Sequence, residues 1–257
     1  MSAPAAMATD GAGAGPQRLN RLLADRGVAS RRSADRLIAA GRVLVDGRRP
    51  PRSGCLVDQG AVVLVDGRPI AERSPGPMYL VLNKPPGVVS TARDPLGRAT
   101  VVDTVAQGPR VFPVGRLDLA SRGLVLLTND GELALRLTHP RYRVPKHYRV
   151  AVGGWPQVAQ LSHLRAGAML EDGPATPLLV AEEGAWPGGR RLRIVIADGR
   201  NQEVRRLCAA VGLRVHDLQR VGIGPLRLGG LPEGTVRELG PRELERLRVA
   251  GGLPARP

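Results

Sequence analysis

Residues 115–131 read GRLDLASRGLVLLTNDG. Four consecutive apolar residues, Leu124 to Leu127, lie between Gly123 and the turn-forming Asn129-Asp130-Gly131, which is the length and composition of a buried strand. Asn129 or Asp130 is placed to cap a helix that opens with Glu132-Leu133-Ala134-Leu135. Phe112-Pro113-Val114 is a second extended segment just upstream. Gly115 to Gly123 is then an irregular loop centred on Arg116, Leu117 and Asp118. A lone aspartate in such a loop ordinarily accepts backbone N–H bonds in a turn, so this stretch by itself leaves the role of Asp118 open.

Farther along, RLRIVIADGRNQEVRRLCAAVG (191–212) reads as a strand, an Asp-Gly turn and a helix with an apolar stripe of Val204, Leu207, Cys208 and Val211. Arg205 and Arg206 lie off that stripe at the start of the helix. A short strand-to-helix turn that presents arginines is a natural site for an anion, either a phosphate or another carboxylate. MYLVLNKPPG (78–87) supplies a buried strand and a Pro-Pro-Gly turn. Further strands are expected at 111–117, 123–128, 147–152 and 191–197, and helices at 131–138, 202–211 and near 241–249. This irregular alternation predicts an α+β domain with a largely antiparallel sheet.

The N-terminal part has a different character. Leu19, Leu22 and Leu23 form the stripe of a short helix, Ser30 is an N-cap, and Ala34, Leu37 and Ile38 form the stripe of a second helix ended by Gly41. VLVDGR occurs at both 43–48 and 63–68, giving two strand ends with Asp-Gly turns. Residues 1–16 read as a disordered, low-complexity tail without the basic and apolar regions of a secretory signal. AERSPGP (71–77) reads as a linker. The expected division is therefore tail 1–16, a small domain 17–70, linker 71–77 and a larger domain 78–250.

The formal net charge is +15, which points to a polyanionic partner, with nucleic acid favoured over a membrane surface or mere solubility. Almost all the basic residues are arginines, since Lys84 and Lys146 are the only lysines. Aromatic residues make up 2%, too few for a reader that stacks on splayed single-stranded bases. Cys55 and Cys208 form no C-x-x-C pair and the four histidines have no metal-ligand spacing, so a reducing cytoplasm without disulfides or zinc is expected. No apolar run approaches the ~20 residues of a membrane span. Cys208, at helical spacing from Val204 and Val211, reads as a packed core thiol.

Two resemblances join these parts. The pattern over roughly 17–65 is similar to the small RNA-binding module named after a ribosomal small-subunit protein, which sets an arginine-bearing helix pair against structured RNA. The larger part resembles the pseudouridine synthases, in particular the branch typified by RsuA and RluB. The motifs that carry this are GRLDLASRGLVLLTNDGELALRLTHP (115–140), KHYRV (146–150), LEDGPA (170–175), GRNQEVRRLCAAVG (199–212) and LQRVGIGPLRLGGLPEG (218–234). The resemblance implies a small N-terminal α/β RNA-binding module followed by a larger α+β pseudouridine synthase domain with a mostly antiparallel sheet.

It also implies roles. Asp118 matches the catalytic aspartate, Arg116 the arginine that steadies the base-flipping site, and Tyr148 the tyrosine that stacks on the target base. Val204 matches the apolar residue on the other side of the base, and Arg205 the basic residue paired with the aspartate. Arg18, Arg21, Arg31, Arg32, Arg36, Arg42, Lys84, Arg200 and Arg206 are the expected RNA contacts. The reaction requires no redox step, metal or cofactor. Ser121 stands where the family has threonine, Ala120 where Asp or Asn is common, and Gln202-Glu203 where a basic-Gln pair is frequent. Glu203, LTHP and LEDGPA resemble the large-subunit branch, so 23S ribosomal RNA or a large-subunit precursor is the expected partner of a monomeric enzyme. Two alternatives stand beside this reading: a non-catalytic RNA-binding or ribosome-assembly factor, and a 16S-directed enzyme of the same branch.

Overall fold

The computed structural model of the chain describes residues 15–51, 54–58, 60–71, 76–105 and 108–255. The chain divides into two units, Met1–Gly76 and Pro77–Pro257. Residues 1–14 of the expected tail and 72–75 of the expected linker lie outside the described residues.

The first unit comprises β1 (Gln17–Arg18), α1 (Leu19–Asp25), α2 (Arg31–Ala39), β2 (Val43–Val45), β3 (Leu56–Val57), β4 (Val63–Val65) and β5 (Arg68–Pro69). The two helical stripes close on the strands: Leu19, Leu22, Leu23, Ala34 and Ile38 pack with Val43, Val57 and Val63. Ser30 caps α2, its hydroxyl accepting the Ser33 N–H at 3.1 Å. At the turns following β2 and β4 both residues are left-handed, Asp46 at φ 49° with Gly47 at 77° and Asp66 at 52° with Gly67 at 75°. A two-residue hairpin turn demands that conformation, and Asp-Gly tolerates it.

The second unit begins with β6 (Tyr79–Lys84), β7 (Phe112–Val114), β8 (Arg122–Thr128), α3 (Gly131–Thr138) and β9 (Lys146–Gly153). It continues with α4 (Val158–Ala166), β10 (Ala168–Leu170), β11 (Gly173–Ala175), β12 (Leu179–Trp186) and β13 (Gly189–Ile196). It ends with α5 (Glu203–Ala210), β14 (Val215–Ile223), β15 (Leu226–Arg227), β16 (Val236–Glu238) and α6 (Pro241–Ala250). Among the described residues the main sheet has nine strands in the order β12-β13-β9-β14-β8-β6-β16, with β7 and β15 paired to β8 and β14. Its pairings are antiparallel except that of β8 with β14.

Strand periodicity sorts the core into two layers. Leu80, Leu82, Val125 and Leu127 pack with Leu161 and Leu164 of α4 and with Val204, Leu207 and Cys208 of α5. Their neighbours Tyr79, Val81, Leu124 and Leu126 pack with Leu133 and Leu137 of α3 and Leu247 of α6. Both faces of β6 and β8 are covered, which is why Leu124–Leu127 is apolar without interruption. The core place expected for Cys208 is borne out: burial pushes its thiol up to about 12. The cap at Asn129-Asp130 also takes its expected form, with the Asp130 carboxylate accepting the Glu132 and Leu133 N–H groups at 3.1 and 3.0 Å.

The parallel contact has a specific requirement. Gly123 lies beside Arg220 in register, at φ +107°, and a Cβ there would come within 2.8 Å of the Arg220 backbone nitrogen and closer still to its carbonyl oxygen. No side chain fits without separating the strands. Gly123→Ala is accordingly expected to cost on the order of 3 kcal/mol or more, read as a lowered urea midpoint at unchanged m-value.

Candidate active site

Asp118 lies on the loop between β7 and β8, and that loop is tied down on both sides of it. The Ser90 hydroxyl donates to the Leu117 carbonyl at 2.9 Å and accepts the Leu117 N–H at 3.0 Å. The Leu119 carbonyl accepts the Gly87 N–H at 2.8 Å and the Lys84 ammonium at 3.4 Å. Within the loop, the Ser121 N–H donates to the Asp118 carbonyl at 3.0 Å. The segment NKPPGVVS (83–90) is therefore the brace of the Asp118 loop. The Asp118 side chain is half-buried, and among the described residues its carboxylate takes part in no hydrogen bond or ion pair with the protein.

That carboxylate borders a cavity of about 390 Å³, within the ~300–1,000 Å³ typical of small-ligand clefts. The loop contributes Arg116, Asp118 and Ser121; β9 contributes Lys146 and Tyr148; the turn into α5 contributes Asp198 to Val204; β14 contributes Leu218 and Arg220. Tyr148 and Arg220 are cross-strand partners at a bulge in the β9–β14 pairing. Burial pushes the Tyr148 phenol up, and the nearby Arg220 guanidinium opposes that. Among the described residues no group of three or more His, Cys, Asp or Glu side chains is placed to hold a metal ion.

A family model described as RNA pseudouridylate synthase matches residues 78–210, and an S4 domain model matches residues 17–49. The chain belongs to the RNA pseudouridine synthase family. Its similarity to the ribosomal large subunit pseudouridine synthase B of Bacillus subtilis is 40% identity over 238 residues, covering 91% of this chain and 96% of that one. The protein of the same name from Escherichia coli O157:H7 is 39% identical, with 93% and 84% covered. An uncharacterized RNA pseudouridine synthase of Mycobacterium tuberculosis is 45% identical, with 92% and 94% covered. A crystal structure of a pseudouridylate synthase superposes with a TM-score of 0.63 at 27% identity, over 90% of this chain and 99% of that one.

In this pseudouridine synthase the expected site residues Arg116, Asp118, Tyr148 and Val204 all come to one cavity, and Arg205 does not line it. A further guanidinium in the cavity wall, beside those of Arg116 and Arg200, belongs to Arg220, which the helical stripe of α5 does not reveal.

 Its Nε donates to the Leu124 carbonyl at 2.8 Å across a sequence separation of 96 residues, so only the folded sheet brings it here. The turn read from sequence as a site for a phosphate or another carboxylate holds a carboxylate, with the amides of Gly199 and Arg200 both donating to Glu203 at 2.8 Å. The carboxylate that fills the turn is the chain's own.

Arg200 and Arg206 were expected to contact RNA, and the structure commits both to the hairpin of β10 and β11. Arg206 forms a fork on the Asp172 carboxylate at 2.9 and 2.8 Å, and Arg200 bonds the Asp172 and Gly173 carbonyls at 3.2 and 3.1 Å. LEDGPA and GRNQEVRR thus make one clamp, and the Arg206 guanidinium holds the Asp172 carboxyl below the usual carboxylate range. In the first unit Arg18, Arg21, Arg31, Arg32, Arg36 and Arg42 are all exposed. Arg42 pairs with Asp66 and Arg21 with Asp25, while Arg18 and Arg36 bond neutral oxygens. Among the described residues Arg31 and Arg32 form no ion pair.

Lys84 requires a plain correction. Expected to touch RNA, it is 0% exposed, its ammonium donating to the Pro85 and Leu119 carbonyls. Lys146, which sequence reasoning passed over, is 7% exposed, lines the cavity and donates to the Ala197 carbonyl at 2.6 Å. Burial pushes its pKa down, with Arg220 adding to the shift. A signal was available: in a chain that otherwise uses arginine, the only two lysines are both buried. A compact ammonium fits between carbonyls where a planar guanidinium does not.

Burial lowers Lys84 to about 8 from its ordinary 10.5, against the opposing pull of Asp118 and Glu233. Between those two values the unfolded chain binds the extra proton, so Lys84 makes folding more favourable as pH rises through that window. Wild type is expected to gain as much as about 3 kcal/mol relative to Lys84→Met between pH 7 and 10.5, measured by paired urea unfolding. A constant difference between the two proteins would refute this.

Proposed function

We propose that this pseudouridine synthase converts a uridine of ribosomal RNA to pseudouridine, in the 23S RNA of the large subunit, with Asp118 acting on a flipped-out nucleotide. The observation that carries the reading is the Asp118 carboxylate: unengaged by any described residue, held by its braced loop, at the edge of a cavity shared with Tyr148, Val204 and Arg116. The two relatives named ribosomal large subunit pseudouridine synthase B support the ribosomal target.

The chemistry needs few parts. The bond between ribose and the uracil nitrogen breaks, the base turns, and carbon 5 makes the new bond. Whether through attack on the sugar, addition to the base or removal of a sugar proton, the aspartate serves as nucleophile or base. Extracting the base from its stack costs a few kcal/mol. Tyr148 on one side and Val204 on the other offset part of that, and Arg116 steadies the opened stack. The S4 unit contributes the phosphate-binding surface, with Arg31 and Arg32 at its centre and Arg18, Arg21 and Arg36 beside them. The enzyme works as a monomer in the cytoplasm, on ribosomal RNA or a large-subunit precursor; among the described residues no helix is long and apolar enough to cross a membrane.

Pseudouridine mapping in ribosomal RNA from a deletion strain provides the test. One site is expected to be lost, restored by the wild-type gene and not by Asp118→Asn, while the purified variant keeps its RNA affinity. Restoration by Asp118→Asn would remove the aspartate from the chemistry. Changing Arg31 and Arg32 together to alanine is expected to weaken RNA binding and reduce the slope of log K against log salt by roughly 1–2, since each lost phosphate contact releases fewer counterions. An unchanged slope would place the RNA elsewhere.

A further inference from the structure

Arg220 sits within β14, 3% exposed, across from Tyr148 and beside Gly123. Its Nε and Nη1 donate to the Leu124 and Arg116 carbonyls at 2.8 and 3.4 Å. Among the described residues its Nη2 is buried with no hydrogen-bond partner, and the Tyr148 phenol is the polar group beside the guanidinium. Among the described residues Arg220 forms no ion pair, and the Glu203 carboxylate is taken by the amides of Gly199 and Arg200. A buried cation without a counter-ion is costly, and an unmade buried hydrogen bond adds to that cost. The Ser121 hydroxyl, 0% exposed and also without a partner among the described residues, is a second unsatisfied polar group on the same cavity wall.

We propose that Arg220 binds the uracil ring as it leaves the sugar, its Nη2 donating to a ring carbonyl oxygen that carries the negative charge. The inference rests on the reading of the cavity as a uridine-isomerising site. When the bond between ribose C1′ and uracil N1 breaks, both bonding electrons stay with the uracil, and the charge spreads over N1 and the oxygens on C2 and C4. The ring turns, C5 forms the bond to C1′, C5 releases its proton and N1 takes one up. Atoms and charge balance, and the anion exists only between the two bonds. A guanidinium fixed beforehand by two backbone carbonyls needs no reorganisation when that charge appears, and removing such a donor slows a reaction roughly 10²–10³-fold.

Single-turnover kinetics of the full chain on 23S transcripts containing uridine or 5-fluorouridine test this, followed as loss of the N-linked nucleoside in digests. Fluorine draws charge from the ring and makes uracil a better leaving group, so it depends less on the protein. Arg220→Met is expected to slow loss of the uridine by about 100-fold or more and loss of the 5-fluorouridine by only about 10-fold. Arg220→Lys, which keeps the charge without the fork, falls between wild type and Arg220→Met on uridine. Equal slowing of both nucleosides, with wild-type turnover intact, overturns the proposal alone and makes Arg220 part of the scaffold. If Arg220→Met fails to fold by circular dichroism, the same ratio measured on Arg220→Lys decides. A wild-type chain that converts neither nucleoside overturns the isomerase reading and this proposal together.

Discussion

The larger unit is organised by one close approach, the backbone of Gly123 against the backbone of Arg220. The loop carrying Asp118 runs straight into β8. The register that puts Gly123 next to Arg220 therefore also brings that loop to Tyr148, the partner of Arg220 on β9. A wider strand separation would keep every secondary-structure element and lose the cavity. The absence of a side chain at one residue thus sets the distance between the acid, the aromatic ring and the buried guanidinium.

Polar groups around this contact are held by the backbone more than by one another. Lys84 and Lys146 end on carbonyls, Ser90 brackets Leu117, and Glu203 caps the turn ahead of α5. Such bonds fix position without neutralising charge. Among the described residues Asp118 is left without a partner, whereas Arg122 is paired with Asp217 by a fork at 2.9 and 2.7 Å that ties β8 to β14.

The strong net charge is a poor guide to which arginines are free of acids in the folded chain. Arg200, Arg206 and Arg42 are spent on carboxylates or carbonyls of the same unit, and Arg31 and Arg32 are not. Composition reports the excess of base over acid and carries no information on pairing, because pairing depends on acids distant in sequence, such as Asp172 for Arg206 and Asp66 for Arg42.

The sequence alone determined what depends on neighbours. The α5 stripe, the Ser30 and Asp130 caps, the left-handed Asp-Gly turns and the apolar run of β8 are all written within a few residues, and the structure has them where periodicity and capping chemistry put them. The motifs also carried the family and four of the cavity residues, Arg116, Asp118, Tyr148 and Val204. Tertiary structure decided the rest: the parallel pairing of β8 with β14, the burial of Lys84 and Lys146 and the entry of Arg220 into the cavity wall. Each of these depends on which strand lies beside which, and sheet register is set by packing between segments about a hundred residues apart, which no local pattern encodes.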